Sequence, residues 1–228
     1  MARDAKKNQV PAVRRAEVRL PELLPFEGGE LESEGDYDGL ELRDLDFAGQ
    51  EGRGARFMDC GLYGVGLDET RLGRARFMDC VLEQVRGVGT QLAEASLRDV
   101  EVVDARLGGT QLHGSGWERV VVRGGKIDFM NLRKARLTDV VFEGCVLVEP
   151  DFGDARLTRV EFRDCVLKGA DFTGVTMNDV DLRTVAQLEI ARGVERLRGA
   201  VVSPTQLLDL APVFAAAMGV RVLSPSGD

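Results

Sequence analysis

A chain of 228 residues with 44% hydrophobic content can bury one large core or two small ones, but 6% aromatics and 27 glycines mean a core built from Leu, Val and small side chains. The formal charge of −8 speaks against the basic surface that phosphate contacts require, so direct nucleic-acid binding is not expected; an acidic surface can instead compete with nucleic acid for another protein's basic groove. No run of about eighteen apolar residues occurs and the N-terminus has no apolar leader, so no membrane partner and a cytoplasmic location are expected.

Residues 1–36 carry no repeat. The first twenty hold six Lys or Arg against two acids, while residues 21–40 hold seven Asp or Glu and no base. This predicts a solvated N-terminal arm with a short capping strand over 18–24, then a flexible acidic loop over 27–38 that contains Gly28, Gly29 and Gly35. A partner-binding tail is the alternative.

From Tyr37 to Leu182 a centre falls every five residues without insertion or deletion, as at Leu42, Phe47, Phe57, Leu62, Leu67, Leu72 and Phe77, and thirty centres keep phase. Two residues before most of them stands a small or β-branched residue, such as Ala55, Cys60, Val65, Thr70, Ala75 or Cys80. The stretch Ala55-Arg56-Phe57-Met58-Asp59-Cys60 recurs unchanged from Ala75 to Cys80, twenty residues on. Neither a helix nor a simple strand has a period of five, so a repeat architecture is required.

Ala170-Asp171-Phe172-Thr173-Gly174 fits the pattern A(D/N)LxG, and Ala55-Arg56-Phe57, Ala135-Arg136-Leu137 and Ala155-Arg156-Leu157 are close variants. On these residues the chain resembles the pentapeptide-repeat family. The resemblance implies an all-β solenoid, a right-handed quadrilateral β-helix with four quintets per coil, over residues 37–185. Thirty quintets then make seven and a half coils, a rod of roughly 36 Å at strand spacing. Such a rod is held by neighbour terms and needs capped ends.

Departures from the pattern predict local consequences. Gly52 and Gly87 stand at centres where a large apolar group belongs, and each coil is expected to lose about 2 kcal/mol of burial. Trp117, flanked by Gly114 and Gly116, predicts a bulged or widened coil, with the ring either packed or exposed for recognition. Residues 186–228 should form an irregular last coil and a cap. Leu188 and Ile190 fall out of phase, Leu197 and Ala200 return to it, and Ser203-Pro204 reads as a helix start with Gly219 as its stop. Pro212 predicts two short helices, 204–210 and 212–218, followed by a strand over 220–223. The cap is apolar on more than one face, which makes Leu207, Leu210, Val213, Phe214, Ala217 and Met218 a candidate homodimer interface, as in relatives that dimerise through this end.

No catalytic, cofactor or metal site is expected. The only histidine, His113, sits one position after a centre and Ser115 at an inward corner, so they do not form a nucleophile pair. Carboxylates such as Asp68-Glu69 and Asp151 with Asp154 lie on flat faces with no cleft to perturb them. Cys60 should stack on Cys80 and Cys145 on Cys165; parallel Cβ vectors favour reduced thiols.

Function should therefore lie on a face. The face centred on Leu42, Leu62 and Leu82 carries Glu41, Asp44, Glu83, Glu101, Asp104, Glu143, Glu161, Asp164 and Asp181 against Arg43, Arg123, Arg163 and Arg183, a net −5, while the others come out near −1, 0 and +1. The chain resembles the loopless, mycobacterial-type members of the family that protect DNA gyrase and topoisomerase IV from fluoroquinolones or toxins by imitating duplex DNA. That resemblance implies a protein partner, DNA gyrase or topoisomerase IV. A structural scaffold that displays a different surface, around Trp117 and His113, is the competing class. A duplex of the expected length carries roughly 21 phosphates, so nine acids are a diluted copy.

Overall fold

The computed structural model describes residues 10–223. The repeat winds into a parallel β-solenoid of ten stacked strand levels, from Leu24–Pro25 to Ala200–Val201. Nine spacings of ~4.8 Å make a rod of ~43 Å, longer than the repeat alone predicts because both ends add a level. Neighbouring coils pair twenty residues apart, Phe57 on Phe77, Trp117 on Leu137 and Phe142 on Phe162. That register puts every centre inward, where like side chains stack: the Phe57 and Phe77 rings are 4.8 Å apart, Phe142 and Phe162 4.9 Å.

The corners explain the small residues. Ala55, Ala75, Ala135 and Ala155 are wholly buried beside the turning backbone, where a larger group would not fit. At two threonine corners the hydroxyl donates to a carbonyl of the preceding coil, Thr70 to Phe47 at 2.8 Å and Thr90 to Leu67 at 2.7 Å, whereas the buried Thr110 hydroxyl has no partner among the described residues. Four buried free thiols occupy the same kind of corner, Cys60, Cys80, Cys145 and Cys165. Within each stacked pair, the neighbouring thiol and burial push Cys80 and Cys145 well above the usual thiol range.

At the N-terminal end the capping strand is only Leu24–Pro25, paired with Leu40–Glu41, and not the longer stretch expected over 18–24. Phe26 then closes the open coil edge-on to Tyr37 at 5.7 Å and to Phe47 at 6.1 Å. The acidic loop folds over this end. Leu31 is buried, its N–H donates to Gln50 Oε1 at 2.8 Å, and the Glu34 N–H donates to the Arg53 carbonyl at 2.7 Å. Leu31 also corrects the expectation for Gly52: a Cβ at Gly52 would lie 3.3 Å from Leu31 Cβ and 3.0 Å from Leu72 Cδ2, so a residue from outside the repeat fills the missing centre. At Gly87 the backbone closes in instead, with Leu67 C and O 3.0 Å from the Cβ position, and no side chain fits.

Trp117 produces no bulge. It pairs in register with Leu97 and Leu137, is buried, and its indole N–H donates to Ser115 Oγ at 3.0 Å. Small neighbours at 114–116 leave the room, so the ring is packing and not a recognition group.

Past Leu182 the register slips by one, which shifts Arg163 onto Thr184 and Leu167 onto Leu188. Contrary to expectation Ile190 is in phase on Ala170; Asp171 slips again onto Arg192, and the phase is restored where Val180 pairs with Ala200. The cap is then a single helix, Pro204–Ala217, and not two. Ser203 and Gln206 form a capping box at its start, and Gly219, at φ 71, closes its end. Pro212 lies inside this helix and removes the donor for the Leu208 carbonyl, at a residue that is exposed. Residues 220–223 form no strand, contrary to expectation. No helix among the described residues is long and apolar enough to cross a membrane.

Candidate partner-binding face

The solenoid sorts the nine candidate acids into three outward columns. Glu41, Glu101, Glu161 and Asp181 precede an inward centre; Glu83 and Glu143 follow one; Asp44, Asp104 and Asp164 occupy the turn beyond. These three Asp residues have φ of 53, 51 and 49, a left-handed conformation that Asp tolerates better than most residues, and other coils place glycine there, as at Gly64 and Gly124. Glu41, Glu101 and Glu161, like the three Asp residues, recur every sixty residues, hence every third coil and ~14 Å along the rod.

Their partners divide the nine. Arg43 Nε donates to Glu41 at 2.5 Å, Arg183 pairs with Asp181 at 2.6 Å, Arg163 pairs with Glu161, and Arg123 approaches Glu143 at 3.4 Å. The hydrogen bond from Arg43 holds the Glu41 carboxyl below its usual range. For Asp181, partial burial works upward, but the bonds from Arg183 outweigh it and the net shift is down. Among the described residues Asp44, Glu83, Glu101, Asp104 and Asp164 make no ion pair. These five are the free charge of the face.

The structure adds an element that periodicity does not reveal. The N-terminal arm lies along the rod, across its strands, at the border of the acidic face. Residues 10–13 sit beside Val160, Glu161, Asp179 and Asp181. The Arg14 N–H donates to Asp139 Oδ1 at 3.1 Å, and the Arg15 guanidinium stands 3.9 Å from Glu143. Val13, Ala16 and Val18 pack on Val121 and Val141, burying both valines. A signal for this was present in the outward column Glu41, Gly61, Val81, Glu101, Val121, Val141, Glu161, Asp181: two adjacent valines stand where charge would be solvated.

Asp139 is buried beneath the arm and is also held by Arg159 in a two-pronged pair, at 2.7 Å for each oxygen. Arg159 is the main reason its carboxyl sits below the usual range; burial opposes this and the Arg14 N–H assists. Two coils along, Arg119 grips Asp99 in the same way at 2.6 Å. Asp99 and Asp139 of this neighbouring face are thus each neutralised by an arginine of the next coil.

The other candidates separate cleanly. His113 is exposed while the Ser115 hydroxyl is buried against Trp117, so the two do not meet. Asp151 pairs with Arg133 at 3.2 Å, and Asp154 with the same guanidinium at 3.5 Å. Among the described residues no group of three or more His, Cys, Asp or Glu is placed to hold a metal ion. On the cap helix Leu210 is buried and Phe214 packs on the core, which takes both out of the candidate dimer interface. Leu207, Val213, Ala217 and Met218 remain exposed, joined by Leu208, the most exposed large side chain of the helix at 75%.

Residues 55–132 and 124–190 match the family model described as a pentapeptide repeat region. No curated protein matches the chain. Among solved structures, a trypsin-treated form of QnrB1, a plasmid-mediated fluoroquinolone resistance protein, is 15% identical, with 88% of this chain and 98% of that one covered and a TM-score of 0.43. HetL, a pentapeptide-repeat protein involved in heterocyst differentiation regulation from the cyanobacterium Nostoc, is 17% identical over 76% of this chain and 92% of its own, with a TM-score of 0.32. Neither likeness bears on what this chain binds.

Proposed function

The chain belongs to the pentapeptide-repeat family, and from that premise we propose that it is a non-enzymatic interaction protein whose acidic face engages a DNA-binding groove, with DNA gyrase or topoisomerase IV as the partner. The observation that carries this reading is the free charge of Asp44, Glu83, Glu101, Asp104 and Asp164 on one side of a straight rod. Charge of one sign on a rigid surface steers a basic groove toward it. The exposed side of the cap helix supports association of two rods end to end, which would double the length of the acidic surface.

A supercoiling assay with purified gyrase tests the proposal. Inhibition, or protection from a quinolone, is expected at micromolar protein; the absence of both refutes it. Reversing the charge of Asp44, Glu101, Asp104 and Asp164 together should abolish the effect. A scaffold function is favoured by one observation, that Glu41, Glu143, Glu161 and Asp181 are already matched by arginines. A scaffold would keep its partner after that charge reversal.

A further inference from the structure

The arm and the coils beneath it are held by different physics. Each coil is bonded to the next along its backbone, whereas among the described residues the one hydrogen bond made by residues 10–23 is that from the Arg14 N–H to Asp139. The remaining contacts are three small apolar side chains on two valines and a loose ion pair at 3.9 Å. A segment that runs across the strands without joining their ladder opens at far lower free energy than a coil. Yet its chemistry matches its seat. The Arg14 N–H meets Asp139 and the Arg15 guanidinium meets Glu143, while Val13, Ala16 and Val18 meet Val121 and Val141.

We propose that residues 10–20 form a displaceable strap, and that Val121, Val141, Asp139 and Glu143 are a docking seat for an extended segment in which small apolar side chains flank paired arginines. The chain's own arm fills the seat in cis, and a partner segment of the same chemistry must compete with it. Two features point to a seat and not to a mere cap. The arm adds nothing to the stack, since Leu24–Pro25 and Phe26 already close its first coil. Its removal would leave two valines open on an outward column among carboxylates, a patch that a solvated face has no reason to keep. The sense of the ionic contacts makes the strap weaken with salt. That release would also uncover the acidic face rests on the mimic reading above; the strap and its seat do not.

The test needs no topoisomerase. In the full chain, Val141→Cys places a thiol under the strap, while the four native thiols are buried. A maleimide should label this thiol at least about tenfold more slowly than in the same chain carrying Val13→Glu and Ala16→Glu, whose carboxylates would face the valines and Glu143. A fluorescent peptide of residues 10–20 should bind the Val13→Glu/Ala16→Glu chain, with the native valine at 141, and not the unaltered one at the same concentration. Arg14→Pro, which removes the single donor together with one cation and adds no carboxylate, should give an intermediate labelling rate. Circular dichroism verifies that the coils persist in each variant. Equal labelling with and without the arm substitutions overturns the strap. Peptide binding to both chains, or to neither, overturns the seat. Gyrase inhibition can fail while labelling and peptide binding succeed, which would refute the mimic and leave the strap standing.

Discussion

The two ends of the rod solve one problem with opposite remainders. Both must cover an open coil. At the N-terminal end Phe26 and Leu31 turn inward and meet Tyr37, Phe47 and the vacancy at Gly52, which leaves Leu24 as the single exposed large apolar side chain of the capping segment. At the C-terminal end Leu210 and Phe214 cover the coil, but Leu207, Leu208, Val213 and Met218 point away from it. Association is therefore expected at one end only. An end that is merely capped needs one apolar stripe, and a second stripe needs a second surface.

Breaking the finished end should have the largest effect. Leu31→Ala removes a buried side chain that no other group can replace beside Gly52 and should cost about 3 kcal/mol of unfolding free energy, read as a lower denaturant midpoint. Ser203→Ala deletes the acceptor of the capping box and should cost about 1 kcal/mol, again by denaturant unfolding, because it loosens the helix and leaves the coils intact. Leu208→Glu is expected to change unfolding by no more than about 0.5 kcal/mol, since the side chain is 75% exposed. By light scattering, however, it should shift the protein toward monomer. If Leu208→Glu destabilises the fold instead, the two ends are not different in kind.

The smallest expected effect concerns acid. Asp139 has a folded pKa below its ordinary value of 3.8, so the stability it lends is fully present above about pH 4 and is lost as pH falls through the lowered value. The strap bonded to it should loosen over that window, seen as faster labelling of Val141→Cys while the coil signal in circular dichroism is unchanged.

How much of this was legible follows from the range of each interaction. The period of five carried the architecture because it repeats thirty times and each repeat tests the same geometry. The helix start at Ser203-Pro204 and the stop at Gly219 were equally plain, since a cap is a contact between residues three or four apart. Pro212 misled because it lowers helix propensity without forbidding a helix, here one that loses a single backbone bond at an exposed turn. The repair of Gly52 by Leu31 and the bond from Arg14 to Asp139, 125 residues away, depend on what folds over what, and no local pattern encodes that. Even so, the adjacent outward valines at 121 and 141 stood in the column as an unclaimed clue. The charge of the candidate face was countable from residues alone; which acids were free was not, because Arg43, Arg163 and Arg183 had to be seen to reach their partners.

The twenty-residue register has a consequence for growth. Copying one coil, as the repeated Ala-Arg-Phe-Met-Asp-Cys stretch suggests has occurred here, lengthens the rod by ~4.8 Å without rotating its faces. The solenoid tolerates such an increment, but the arm has a fixed length. Each added coil between Leu40 and Val121 would draw about one and a half extended residues from the arm, pulling Val13 and Ala16 off their valines. The strap thus works as a gauge of rod length: a lineage that adds a coil must lengthen the arm, move the seat, or leave the face uncovered.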